Sequence, residues 1–196
     1  MKLKTKVNLL LFLLLSQYVT SQINEINLGE NTWMLKNLNT SKFRNGDIIP
    51  EAKTIKEFEK YGEEKKPAWC NKNFDKKNGS VYGKLYNYYA VIDSRGISPS
   101  GWHVSTKSEW ESLISYIGKS STQKKEFVNF NAKPGGGLIF SESAINKDIG
   151  DGVYYWTSTK ESDYYSFSSS IIYSSYYIDV YEYHNSSGMY IRCVKD

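Results

Sequence analysis

The sequence predicts an α+β domain: two or three helices and a mainly antiparallel, twisted sheet. Two observations carry this. Helix-start signals and helical spacings occupy residues 54–118, and from Leu138 onward the chain turns to short β-favouring segments divided by glycine and aspartate turns. No internal repeat of solenoid period is visible.

In chain order, Thr32 to Leu38 is a strand candidate, with Trp33 and Leu35 alternating with polar neighbours. Asn45, Gly46 and Asp47 form a turn before Ile48 and Pro50. Thr54 with Glu57 is a capping box, and Ile55, Phe58 and Tyr61 share one helical face before a stop at Gly62. The lysine- and asparagine-rich segment from Glu63 to Ser80 reads as loop. Leu85, Tyr88, Tyr89 and Ile92 have helical spacing and predict a helix of about ten residues.

Ser100 to Gly118 is the most informative stretch. A strand-like GWHVS runs into a helix capped by Thr106, with Glu109 placed to reach back to the cap. Trp110, Leu113, Ile114 and Ile117 follow at i, i+3, i+4 and i+7, so one face is core, and Gly118 supplies a stop. Beyond the breaker at Pro134 to Gly137, strands are expected at Leu138–Phe140, Val153–Thr157, Tyr164–Tyr173, Tyr176–Tyr183 and Met189–Val194. In the fourth, Tyr177, Asp179, Tyr181 and Tyr183 share a face.

The first 21 residues read as a signal peptide. Lys2, Lys4 and Lys6 precede the apolar run Leu9 to Leu15, and Val19 and Ser21 sit at minus three and minus one before Gln22. The run is too short to span a bilayer, so no integral membrane segment is expected once it is removed. Residues 22–196 then form one domain, exported to the periplasm, the cell surface or the medium. The formal charge of +4 comes largely from the three leader lysines. Lys65, Lys66, Lys72, Lys76 and Lys77 alternate with acids, which argues against a nucleic-acid partner. Export makes a bridge between the two cysteines, Cys70 and Cys193, a candidate worth about 3–5 kcal/mol; two separate buried thiols are the alternative.

Few residues suggest catalysis. GISPSG at Gly96 to Gly101 lacks the spacing of a nucleophile elbow. His103, beside Trp102 in a strand, reads as a hydrogen-bonded structural residue, and His184 lacks companions at metal-ligand spacing. Asn71, Asn73 and Asp75 open like a calcium loop, but Lys76 stands where glycine is needed and Tyr82 where glutamate is. Asp148 and Asp151 can enter an oxygen cage, yet aspartate beside glycine is ordinary turn chemistry. No cofactor or metal is predicted.

The aromatic content points elsewhere. Ten of the seventeen tyrosines lie from Tyr154 to Tyr190, interleaved with serines, a composition suited to adaptable recognition surfaces. Tyr164, Tyr165, Tyr176 and Tyr177 are the candidate ligand-binding cluster, with Trp156 assigned to the core. The alternative is that these strands use tyrosine for its β propensity.

TWMLKNLN at Thr32 to Asn39, NGDIIP at Asn45 to Pro50, YGKLYNYYAV at Tyr82 to Val91, the GWHVSTKSEWESLISYIG segment, YYWTST and the ending YIRCVKD together resemble the Fibrobacter succinogenes major paralogous domain. That family occurs in exported proteins of Fibrobacter and Bacteroidetes. Its GWH strand, EW helix and arginine-containing last strand are similar to formylglycine-generating, sulfatase-modifying enzymes, which implies a C-type-lectin-like fold. The resemblance implies no activity, because fold and function separate easily. Family members commonly carry cysteine-proline before the GWH strand; here Ser98 precedes Pro99, which removes the usual partner of Cys193.

The expectation is an exported, non-catalytic binding or surface-interaction module recognising glycan or an extracellular protein. The alternatives are a diverged sulfatase-modifying-type enzyme and a structural component of a surface assembly.

Overall fold

The computed structural model describes residues 24–118, 125, 127–141, 144–148, 151–173, 175 and 177–196. The signal segment 1–21 and Tyr176 lie outside them.

The first sheet joins strands from both ends of the chain to one from its middle. β1 (Glu25–Leu28) pairs with β2 (Asn31–Met34), and Val194 lies opposite Trp33 where the last strand joins. The expected strand at Thr32 is therefore β2, and it is shorter than expected. Chain order continues with α1 (Ile55–Glu63), β3 (Trp69–Cys70), a single 3-10 turn at Lys72–Phe74, α2 (Lys76–Tyr82), β4 (Leu85–Tyr86), α3 (Tyr88–Val91), β5 (Trp102–Val104) and α4 (Lys107–Gly118). Then come β6 (Gly137–Ser141), β7 (Ala144–Asp148), β8 (Gly152–Lys160), β9 (Tyr165–Ile172), β10 (Tyr177–His184), β11 (Tyr190–Ile191) and β12 (Cys193–Lys195).

The expected mainly antiparallel sheet is two four-stranded sheets, ordered β1-β2-β12-β5 and β10-β9-β8-β11, with two short ribbons, β3-β4 and β6-β7. Among the described residues these strands pair with one another in antiparallel fashion, except β11 with β8. Side-chain alternation sorts the core into two clusters. Trp33, Val194, Val153 and Tyr155 join Trp110, Leu113 and Ile117 of α4 in one; Met34, Cys193, Trp102, Val104 and Trp156 join Tyr86 and Tyr88 in the other. Trp33 and Trp110 meet at 4.9 Å between ring centroids, and Phe130 meets both edge-on. Burying such rings gives each side chain a share of stability worth about 3–5 kcal/mol on truncation to alanine.

The α4 box forms as the sequence predicts. The Glu109 amide donates to Thr106 Oγ1 at 3.2 Å, and the Thr106 amide donates to Glu109 Oε2 at 2.7 Å. In α1, Thr54 Oγ1 accepts from the Glu57 amide, while Glu57 Oε2 takes the amide of Lys53, one residue earlier than the box requires.

Two segments depart from expectation. The loop assigned to Glu63–Ser80 contains β3 and most of α2, the latter started by Asp75, whose Oδ1 accepts from the Lys77 amide at 2.9 Å. The helix expected around residues 85–92 is a two-residue strand followed by one helical turn. Asn87 causes the break: its Oδ1 accepts from the amides of Ala68 and Ala90, and its Nδ2 donates to the Lys66 carbonyl. Pairing with a remote strand overrides the local helical spacing. The described residues also hold four α-helices where two or three were expected. None of these helices is long and apolar enough to cross a membrane.

Candidate functional site

β9 and β10 form an eight-residue antiparallel hairpin, and its register decides the fate of the tyrosine cluster. Tyr165 lies opposite His184, whereas Tyr177 lies opposite Ile172, seven positions along the same ladder, which separates them by about 23 Å. Tyr164, Tyr165 and Tyr177 therefore do not form one surface, and Tyr176 falls outside the described residues. Sequence proximity misled here because the hairpin places Tyr165 and Tyr177 at opposite ends.

Each end has its own chemistry. Tyr164 is 59% exposed, with Lys65 Nζ 4.9 Å from its ring centroid. Tyr165 meets the His184 ring edge-on at 5.6 Å. At the other end Tyr177 donates to Asp179 Oδ2 at 2.5 Å and lies 2.9 Å from the Tyr181 hydroxyl. Because the single Tyr177 proton is committed to Asp179, Tyr181 is the donor in the second bond. Residues i and i+4 of a strand stand about 13 Å apart, so the two rings lean toward one another over Asp179. Both remain about half exposed. The Tyr177 hydroxyl, then the Val180 amide, hold the Asp179 carboxyl below its usual range against the opposing effect of burial. Tyr181 was named in the sequence as a face-mate of Tyr177 but not as a site residue.

The same face continues inward to Tyr183, whose ring meets Tyr154 edge-on at 5.7 Å across β9. The strand between carries Ser168 and Ser170, both buried. Their small side chains leave the volume that the rings of β8 and β10 fill. Trp156 is fully buried, and its Nε1 donates to the Tyr86 carbonyl at 2.8 Å, so it is core.

A second feature was missed by sequence reasoning. Arg192, between β11 and β12, is 1% exposed. Its Nη1 donates to the carbonyls of Met34 and Phe130, and its Nη2 to Asn37 Oδ1 and the Tyr155 hydroxyl. The guanidinium also lies 4.3 Å from the Phe130 ring centroid and 5.3 Å from that of Tyr155. It forms part of the wall of a cavity of about 160 Å³ beside the end of α2.

Three catalytic possibilities can be judged by geometry. His103 Nδ1 lies 2.8 Å from Asp196 Oδ1, and Nε2 lies 2.8 Å from Glu109 Oε1. With both ring nitrogens engaged by carboxylates, neither is left free to act as a base toward a substrate. Cys70 and Cys193 are free and buried, in different core clusters, so the bridge between them is not made. Burial, with Glu51 nearby, pushes the Cys70 thiol far up, and burial pushes that of Cys193 up to about 12 against the pull of Arg192. Neither is a thiolate at neutral pH, the form needed for nucleophilic or metal chemistry. Among the described residues no group of three or more His, Cys, Asp or Glu is placed to hold a metal ion. Asp75 of the failed calcium loop is the cap of α2. Ser98 accepts from Arg44 Nη2 at 2.9 Å.

The sequence model of the Fibrobacter succinogenes major domain matches residues 26–195, from β1 to the last residue of β12. The chain belongs to this family. Searches of curated proteins and of solved structures find no match to it. The matched span of the major domain includes both four-stranded sheets, the tyrosine-bearing hairpin and the Arg192 cavity.

Proposed function

We propose that this major domain is an exported, non-catalytic binding module on a C-type-lectin-like scaffold, and that it recognises glycan through Tyr177, Asp179 and Tyr181. The observation that carries the reading is the hydrogen-bonded trio itself. Two half-exposed rings offer apolar faces to the C–H surface of a sugar, while the carboxylate and hydroxyls between them can exchange hydrogen bonds with its hydroxyls. The mutual hydrogen bonds orient the rings before a ligand arrives, which lowers the entropy lost on binding. The protonated cysteines and the doubly engaged His103 favour this reading over a sulfatase-modifying-type enzyme.

The test is a glycan-binding screen with purified protein, with and without calcium. Saturable retention that is lost in Tyr177→Ala/Tyr181→Ala, and kept in Tyr164→Ala, is the expected result. Retention unchanged by the double variant, or capture of a protein with no glycan bound, overturns it.

A further inference from the structure

The cavity beside Arg192 has an unbalanced charge. Its wall includes Lys36, Lys133 and Arg192, together with Asn37, Asn39, Asn131 and Ser80, and among the described residues no aspartate or glutamate lines it. Among the described residues none of the three cations has an ion-pair partner within 4 Å. For the two exposed lysines that is unremarked chemistry. For a guanidinium 1% exposed it is not, because a charge removed from water is normally matched by an opposite one.

Among the described residues, the four hydrogen bonds of Arg192 all go to neutral oxygens, and its buried Nε has no acceptor. Carbonyls and aromatic faces solvate the cation without cancelling it. The cavity therefore keeps a positive potential, strengthened by the poorly polarisable core behind it.

The wall is also held in place. Asn37 uses both ends of its amide, accepting from Arg192 Nη2 at 2.7 Å and donating to the Tyr82 carbonyl at 2.8 Å. The carbonyl at the end of α2 is thus engaged by a donor. Gly83 lets the chain leave α2 against residues 37–38: its φ is +83°, and a Cβ there would fall 2.9 Å from the Leu38 carbonyl oxygen. At about 160 Å³ the space is smaller than a drug-sized pocket and suits one small polar group with its water.

We propose that this cavity binds a small oxyanion, a carboxylate or sulfate group, either as the free ion or carried on an acidic sugar. Arg192 supplies the fixed field, Lys36 and Lys133 supply movable charges at the mouth, and the Asn39 and Asn131 amides supply neutral donors. The site is independent of the tyrosine trio.

Isothermal titration of the purified protein with sodium sulfate, sodium glucuronate and glucose, at ionic strength held constant with sodium chloride, tests it. Saturable binding of sulfate or glucuronate, with none of glucose, is the expected result. Loss of charged hydrogen bonds in Lys36→Glu/Lys133→Glu should weaken binding about tenfold or more. Lys36→Gln/Lys133→Gln should weaken it less, and Tyr177→Ala/Tyr181→Ala should leave it unchanged. Glucuronate binding without sulfate binding assigns the anion to a sugar, and sulfate binding without glucuronate assigns it to the free ion. Absence of saturable binding by either anion, or equal binding by wild type and both lysine variants, overturns the proposal.

Discussion

Asn37 and Arg192, 155 positions apart in sequence, are joined by a 2.7 Å hydrogen bond from Nη2 to Oδ1. The bond ties the loop after β2 to the junction of β11 and β12, while Nη1 reaches the Met34 and Phe130 carbonyls. Lysine cannot reproduce this fork of donors. Arg192→Lys should lower unfolding free energy by about 3–5 kcal/mol, as for a broken buried charged network. Asn37→Ala, which removes one acceptor from Nη2 and the donor to Tyr82, should cost about 1–3 kcal/mol. Urea unfolding followed by tryptophan fluorescence gives both values; an Arg192→Lys protein as stable as wild type would show that the fork is dispensable.

His103 should make stability pH-dependent. Partial burial pulls its pKa down, but the hydrogen bonds to Asp196 and Glu109, with their charges, overcome it, and the net shift is upward from 6.5. A pKa raised on folding means that the stabilisation is fully present below the unfolded value and is lost as pH rises through the folded one. His103→Gln should therefore destabilise the protein most at mildly acidic pH and least in alkaline buffer. The ring is partly exposed, so the difference should not exceed about 1 kcal/mol. Urea midpoints of both proteins across this range would show the two curves converging as pH rises; parallel curves would contradict it.

β9 offers paired substitutions with opposite signs. Ser169 is fully buried and its Oγ has no hydrogen-bond partner among the described residues, so Ser169→Ala should be neutral or stabilising by up to about 1 kcal/mol. Ser168 lies between Trp156 and Tyr181 in the ladder. Ser168→Leu puts extra methylenes into space those aromatics use and should cost about 1–3 kcal/mol. Thermal melts of the two variants should move apart, and a destabilised Ser169→Ala would reveal a partner for that hydroxyl.

The cysteines should be inert in the folded state. Cys70 is 1% exposed and Cys193 is fully buried, and both thiols stay protonated. A thiol reagent should label neither in buffer and both in denaturant, and reductant should not shift the melting temperature. Lowered stability in reductant would restore the bridge.

The legible parts of the sequence were those with local causes. Thr106 and Glu109 meet because three residues separate them on a helix, and Trp110, Leu113 and Ile117 share a face by the helical repeat. The alternation that placed Tyr177, Asp179 and Tyr181 together needed only a strand. By contrast, Leu85 to Ile92 has helical spacing and still divides at Asn87, whose amide serves Ala68 and Lys66 from another part of the chain. The Tyr164 and Tyr177 groups looked adjacent in sequence, and hairpin register drove them apart.

By itself, then, the sequence determined where α4 starts, which of its faces is buried, and the succession of strands that follows, since caps, periodicity and turn residues act over a few positions. Only the tertiary structure decided that the first and last strands share a sheet, that the two cysteines lie apart, and that Arg192 sits uncompensated beside a cavity. Those facts depend on which distant segments meet, and a strand's pattern specifies its buried face without naming its neighbour.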